Sequence, residues 1–262
     1  MRFTVVTLFP EFFDSPLSCG LMSRAREKGI VDFSFVNPRD FSTDKHRTVD
    51  DRPYGGGPGM VMLADPLDRG LAHAKEQGPG RTLLLTPRGR PFDQAMARDL
   101  AQEERLTLVC GRYEGMDARL EELHELEPVS LGDFVLNGGE SAALNLIEAV
   151  ARLRPGFMGH EESAGEESFS SGLLEYPHYT RPEEYKGLAV PEVLRSGDHG
   201  KVAAWRREQA LLTTLKNRPG LLEGAELDQK DLDFLHANRE VIKKAGLGRN
   251  LYLALLHYPV LN

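Results

Sequence analysis

Short leucine-, valine- and phenylalanine-rich runs alternate, over roughly the first 150 residues, with stretches whose apolar positions recur at helical spacing. The runs are Phe3–Leu8, Val31–Val36, Thr82–Leu85, Leu106–Val109 and Val135–Leu136, and each meets a glycine or proline: Pro10, Pro38, Pro87, Gly111 and Gly138–Gly139. A helical pattern spans Phe92 to Glu104, with Asp93 near its N-cap. Another passes through Ala142, Leu146, Ile147, Val150 and Leu153. Strands alternating with helices predict an α/β fold with a mainly parallel sheet. Ligands of such sheets bind beyond the carboxyl ends of the strands, where these glycine and proline loops fall.

The pattern changes at GFMGHEESAGEESFSSG (Gly156–Gly172), a small, acidic and polar stretch without a period, which reads as a linker. Beyond it lie PHYTRPEEYKG and PEVLRSGDH, then two helical stretches, His199–Lys216 and Asp228–Ala245. The expected organisation is a first domain over 1–160, a flexible linker over 161–175 and a helical domain over 176–262. No internal repeat is visible.

Composition narrows the class. The chain has 262 residues, 40% apolar and 27% charged, values ordinary for a soluble protein. Its apolar runs are far too short to span a bilayer, and MRFTVVTLFPEFF reads as a first strand instead of a signal peptide. Two cysteines, Cys19 and Cys110, cannot build a metal cluster, and Cys110 sits in an apolar run as a buried thiol would. A cytoplasmic location is expected. The net charge of −8 opposes nucleic-acid binding, but Arg195, Lys201, Arg206, Arg207, Lys216 and Arg218 cluster in one stretch that could form a basic face.

Common nucleotide templates fail. Gly55–Gly56–Gly57–Pro58–Gly59 lacks the Gly-Lys-Ser/Thr ending of a P-loop and, with Met60 following, does not fit GxGxxG. Glycines at strand ends still mark places where the backbone takes positive φ or a ligand comes close. Three such clusters at one end of one sheet outline a candidate pocket, with the helix N-terminus after Gly138–Gly139 available to an acceptor group.

These stretches together resemble the bacterial tRNA (guanine-N1)-methyltransferase family, of the SPOUT superfamily. The matching segments are LFPEFF, NPRDFSTDKHRTVDDRPYGGGPGM, TPRGRPFDQ, LVCGRYEGMD, SLGDFVLNGGE, RPGFMGHEESAGEESFSSGLLEYPHYTRP and VPEVLRSGDH, in order through nearly the whole chain. The resemblance implies a SPOUT-type parallel sheet with a deep trefoil knot, plus a small C-terminal helical domain that helps grip the anticodon stem. It further implies a homodimer whose sites use both chains, and methyl transfer from S-adenosylmethionine to N1 of guanine 37 in tRNA.

Carried onto this sequence, the cofactor-binding positions are Thr86, Pro87 and Gly89; Gly111, Tyr113 and Glu114; Ser130, Leu131, Gly132, Asp133, Phe134, Val135 and Leu136; and Gly138 and Gly139. Leu131, Phe134 and Leu136 would wall an adenine, and Gly111 would permit close approach. Guanine N1 carries a proton at neutral pH, so the reaction needs a base near N1 and a cation or N–H near O6. The family pattern puts an aspartate as base in the linker and an arginine on the preceding helix. Arg152 matches the arginine, whereas Glu167 stands at the aspartate position, with Glu166 beside it as a competitor. One added methylene displaces a carboxylate by about 1.5 Å. His46, Arg47, Asp50 and Gly57 would face the RNA, and His178 and Tyr179 would stack on or hydrogen-bond a flipped base. Magnesium is an accessory ion of the family, with Glu114 and Glu167 as possible contacts, although no metal-ligand spacing is present. Other readings are a knotted enzyme with a different RNA target and a non-catalytic protein that binds S-adenosylmethionine and RNA.

Overall fold

The computed structural model describes residues 1–159 and 167–238. The chain divides into two compact units, Met1–Glu161 and Glu162–Asn262. The strands are β1 (Arg2–Val6), β2 (Asp32–Val36), β3 (Asp50–Asp51), β4 (Val61–Met62), β5 (Arg81–Pro91), β6 (Arg105–Cys110), β7 (Glu127–Ser130), β8 (Glu184–Tyr185) and β9 (Leu188–Ala189). The helices are α1 (Asp14–Leu17), α2 (Gly20–Glu27), α3 (Ala64–Glu76), α4 (Gln94–Leu100), α5 (Arg119–Leu123), α6 (Glu140–Ala151), α7 (His199–Asn217) and α8 (Gln229–Ala237).

The N-terminal unit is a three-layer α/β fold. Its five-stranded sheet runs β2-β1-β6-β5-β7, and every pairing is parallel. Successive residues point to opposite faces. Leu83, Leu85, Leu106, Leu108 and Cys110 pack with α2, α4 and α6, while Leu84 and Val109 pack with Leu67 and Leu71 of α3 and Leu120 of α5. Both faces are covered, which is why these strands are written as continuous apolar runs without alternation. Asp93 caps α4, its side chain accepting from the Met96 N–H at 2.8 Å.

One expected strand is displaced. Val135–Leu136 lies in a loop, with Val135 85% exposed, and the fifth strand is Glu127–Ser130. The strand EPVS contains no apolar run. Its Pro128 is tolerated because β7 is at the sheet edge, and Glu127 is held by a two-bond contact from Arg81.

β5 pairs with β7 in two stretches separated by a register shift between Leu85 and Arg90. The segment Thr86–Gly89 therefore bulges out of the ladder, re-aiming the chain at the sheet's carboxyl end. Gly89 is obligatory there, because an added Cβ would lie 2.2 Å from the Val129 nitrogen.

The C-terminal unit has a small core of Leu173, Ala210, Leu211, Leu215, Leu222 and Leu235, built largely on α7 and α8. Asp198 caps α7, and Asp228 and Asp231 form a reciprocal capping box at α8. The expected helix Asp228–Ala245 is described as far as Asn238, and the rest of it lies outside the described residues. A hairpin, β8–β9, turns through Lys186 and Gly187, both at positive φ. No helix among the described residues is long and apolar enough to cross a membrane.

Candidate functional site

A cleft of about 240 Å³ opens at the carboxyl ends of β5, β6 and β7. Its walls are the bulge after Leu85, the GRYEG loop after β6, and the segment joining β7 to α6. Of the residues expected to bind a cofactor, Thr86, Pro87, Gly111, Tyr113, Glu114, Ser130, Leu131, Gly132, Phe134, Val135, Leu136, Gly138 and Gly139 all line it. Gly89 and Asp133 do not; Gly89 instead shapes the bulge behind it.

Backbone groups pair the loops directly. The Gly139 N–H donates to the Gly111 carbonyl at 3.0 Å, and Arg112 bridges Gly138. At Gly111 an added Cβ would meet only the Leu85 oxygen at 3.9 Å, leaving space on the cleft side. At Gly138 and Gly139 the protein itself packs closely: a Cβ would lie 2.3 Å from Arg112 Nε and 2.7 Å from Cys110 Cα. Glu114 donates its backbone N–H to Met60, and its carboxylate packs so closely on Gly59 that no Cβ fits there. The GGGPG run thus meets the GRYEG loop at its last glycine. Gly55, Gly56 and Gly57 face open space at positive φ.

A charged pair that joins Arg112 of the cleft wall to a buried glutamate behind it was not among the residues singled out from sequence. Glu140, the first residue of α6, is 1% exposed, accepts from Thr7 Oγ1 at 2.8 Å and faces Arg112 Nη2 at 2.9 Å. The Arg112 guanidinium stacks 4.4 Å from the Phe9 ring centroid. The only signal in the sequence is a charged residue inside each glycine loop, GRYEG and NGGE. Burial pushes the neighbouring Cys110 thiol well above its ordinary range, reinforced by Glu140 and opposed by Arg112, so it is no nucleophile at neutral pH.

Residues expected to face RNA fall in two places. In the N-terminal unit, His46 is exposed, Arg47 (φ 54°) pairs with Asp40, and Gly57 sits in the open glycine run. Asp50 lies beside the Tyr113 phenol, which burial and then Asp50 hold above its usual range. That contact ties the loop to the cleft wall. In the C-terminal unit, His178 lies against Tyr176 at 4.8 Å and Tyr179 against Trp205 at 6.2 Å. Both remain accessible, but each already has an aromatic neighbour.

Arg152 is the C-cap of α6 in the N-terminal unit. Glu167 belongs to the C-terminal unit, where it lines a second cavity of about 250 Å³ with Tyr176, Arg206 and Arg207. Glu166 lies outside the described residues. Among the described residues, no group of three or more His, Cys, Asp or Glu side chains is arranged to hold a metal ion.

Comparison with known proteins matches residues 1–224 to the family described as tRNA (Guanine-1)-methyltransferase TrmD. The chain is 64% identical to the tRNA (guanine-N(1)-)-methyltransferase of Oleidesulfovibrio alaskensis, over 100% of this chain and 60% of that protein. It is likewise 64% identical to that of Nitratidesulfovibrio vulgaris, over 99% of this chain and 60% of that protein. The same-named protein of Geotalea uraniireducens is 50% identical over 94% of this chain and 100% of its own length. The chain therefore spans 60% of the length of the first two relatives and the whole of the third. With the family matched from the first strand to residue 224, most of its length, the chain belongs to the tRNA (guanine-1)-methyltransferase family.

Proposed function

We propose that this chain is a tRNA methyltransferase that binds S-adenosylmethionine in the cleft between GRYEG and SLGDFVLNGGE and methylates N1 of guanine 37. The observation that carries the reading is the cleft itself, which gathers three glycine-bearing loops at the carboxyl ends of three parallel strands. Its lining suits this cofactor. Leu131, Phe134 and Leu136 offer apolar walls to an adenine, and Glu114 offers a negative charge to a cationic ligand. Gly138 and Gly139 bring backbone where any side chain would collide, and Gly139, the N-cap of α6, leaves the helix's first-turn N–H groups without a side-chain cap. When bound, S-adenosylmethionine supplies a methyl group made electrophilic by its sulfonium.

The protein's own part is to orient guanine and manage one proton. Glu167 is the proposed base, taking the N1 proton so that the N1 lone pair becomes the nucleophile. Arg152 is proposed to stabilise the negative charge that develops on O6. The basic residues of α7 and its end, with His178 and Tyr179, are proposed to hold the anticodon stem-loop. The deep trefoil knot, a homodimer in which both chains complete each site, magnesium as accessory ion and a cytoplasmic location belong to the same reading. Exposed Phe9, Phe12, Leu21, Phe134 and Val135 on the N-terminal unit support an interface there.

Labelled S-adenosylmethionine and unmodified tRNA, followed by nucleoside analysis, test the assignment: label is expected on N1 of guanosine 37. Label elsewhere would indicate another RNA target, and cofactor binding without product would indicate a binding protein. Glu167→Gln is expected to lower turnover by about 100-fold or more with cofactor affinity unchanged, while Glu167→Asp retains activity. Normal turnover in Glu167→Gln would remove Glu167 as the base.

A further inference from the structure

Burying a carboxylate is costly unless it is paired and hydrogen-bonded. Glu140 is the only carboxylate in the described N-terminal unit with so little exposure, and two segments distant in sequence converge on it. From the end of β1, Thr7 Oγ1 donates to its Oε1 at 2.8 Å, and the same hydroxyl accepts the Phe9 N–H at 3.0 Å. From the GRYEG loop, Arg112 approaches its Oε2 at 2.9 Å. Arg112 reaches onward, donating from Nη1 to the Asn137 carbonyl at 3.3 Å in the third loop.

The pair is incompletely satisfied. The 2.9 Å contact from Nη2 makes no hydrogen bond, leaving Glu140 Oε2 without one, and Arg112 Nε is likewise buried without a hydrogen-bond partner. Gly138 crowds against that nitrogen, with a would-be Cβ at 2.3 Å. An ion pair of this kind is a weak source of net stability, and its better-attested use is to fix register between elements. Here the elements are the walls of the cleft, and Arg112 itself lines it, two residues before Glu114.

We propose that Arg112 and Glu140 are positioning residues that clamp the GRYEG and NGGE loops at the spacing the ligand needs, with Thr7 aligning the carboxylate; the ligand part of this rests on the cleft being the S-adenosylmethionine site. The clamp sets where Glu114 and the Asn137–Gly139 backbone stand, and takes no part in bond making.

The test uses the full chain and two independent readouts. Glu140→Gln keeps the shape and an acceptor for Thr7 but removes the charge; Arg112→Lys keeps the charge but loses the fork. Both are expected to speed hydrogen exchange at the Gly139 amide of the ligand-free protein and to weaken S-adenosylmethionine binding by about tenfold. KM for S-adenosylmethionine is expected to rise more than kcat falls, with Thr7→Val showing a smaller change in the same direction. A purely structural pair would lower the melting temperature and leave Gly139 protection and affinity, measured well below melting, as in the parent; that result would overturn the proposal. Should Glu140→Gln fail to fold, Arg112→Lys and Thr7→Val carry the same two readouts. If the parent binds no S-adenosylmethionine, the reading of the cleft falls, while exchange at Gly139 still decides whether the pair holds the loops.

Discussion

Each unit contains a buried acid paired with an arginine at the wall of a cavity, and the two pairs are built differently. In the C-terminal unit, Asp231 is 6% exposed and receives Arg207 through Nε and Nη2 at 2.7 to 3.2 Å. Asp231 also accepts the Asp228 N–H at 3.1 Å, closing the α8 capping box, and Arg207 reaches the Glu226 carbonyl at 2.8 Å. Asp231 accordingly holds the Arg207 guanidinium above its usual range. In the N-terminal unit, Glu140 is still more buried, yet its arginine approaches off-axis and one oxygen is left without a hydrogen bond. The satisfied pair joins α7 to the start of α8 and secures a small core. The incompletely bonded pair joins loops around a cleft. Completeness of hydrogen bonding, more than burial, separates a fold-holding pair from one positioned for a site.

The largest expected effect comes from breaking the satisfied pair. Asp231→Ala removes the Arg207 bonds and half of the capping box, and is expected to cost about 3 kcal/mol. Thermal melting should show the loss, with S-adenosylmethionine affinity unchanged and tRNA methylation reduced. A parallel loss of cofactor affinity would erase the distinction between the pairs.

A middle-sized effect is expected from Gly138→Ala, which leaves every charge in place but drives a Cβ against Arg112 Nε. Overpacking of this sort costs about 1–3 kcal/mol. It should weaken cofactor binding without altering tRNA affinity, as titration of each ligand would show. Unchanged cofactor binding would mean that the arginine's exact placement is unimportant.

The smallest effect concerns a third, more open pair. The Arg81 hydrogen bonds hold Glu127 below the ordinary glutamate value of 4.5. A depressed folded-state pKa contributes stability that is present above 4.5 and lost as pH falls through the lowered value. Acid melting curves should therefore be flatter below pH 4.5 in Glu127→Gln than in the parent, by less than about 1 kcal/mol, because both partners are partly solvated. Curves with identical acid slopes would show that this pair contributes no pH dependence.

Much of the fold is legible along the chain. β1, β5 and β6 announce themselves as apolar runs because covered strands must be apolar on both faces, and Asp93, Asp198 and Asp228 mark helix starts by capping them. β7 is not legible: an edge strand can hold Pro128, and Glu127 is satisfied by an arginine 46 residues away. The apolar residues Phe134, Val135 and Leu136 mislead in the opposite direction, since local sequence does not tell a strand's core from a loop's exposed contact surface.

The sequence by itself determined the α/β class, the family and the three loops that form the cleft, because these rest on local periodicity, turn chemistry and ordered motifs. Only the tertiary structure decided which glycines are indispensable and which charges are joined. Gly138 and Gly139 matter through contacts with Arg112 and Cys110, and Glu140 through Thr7, which lies 133 residues away. Such requirements come from close packing between distant segments, and a linear pattern carries no distance between them.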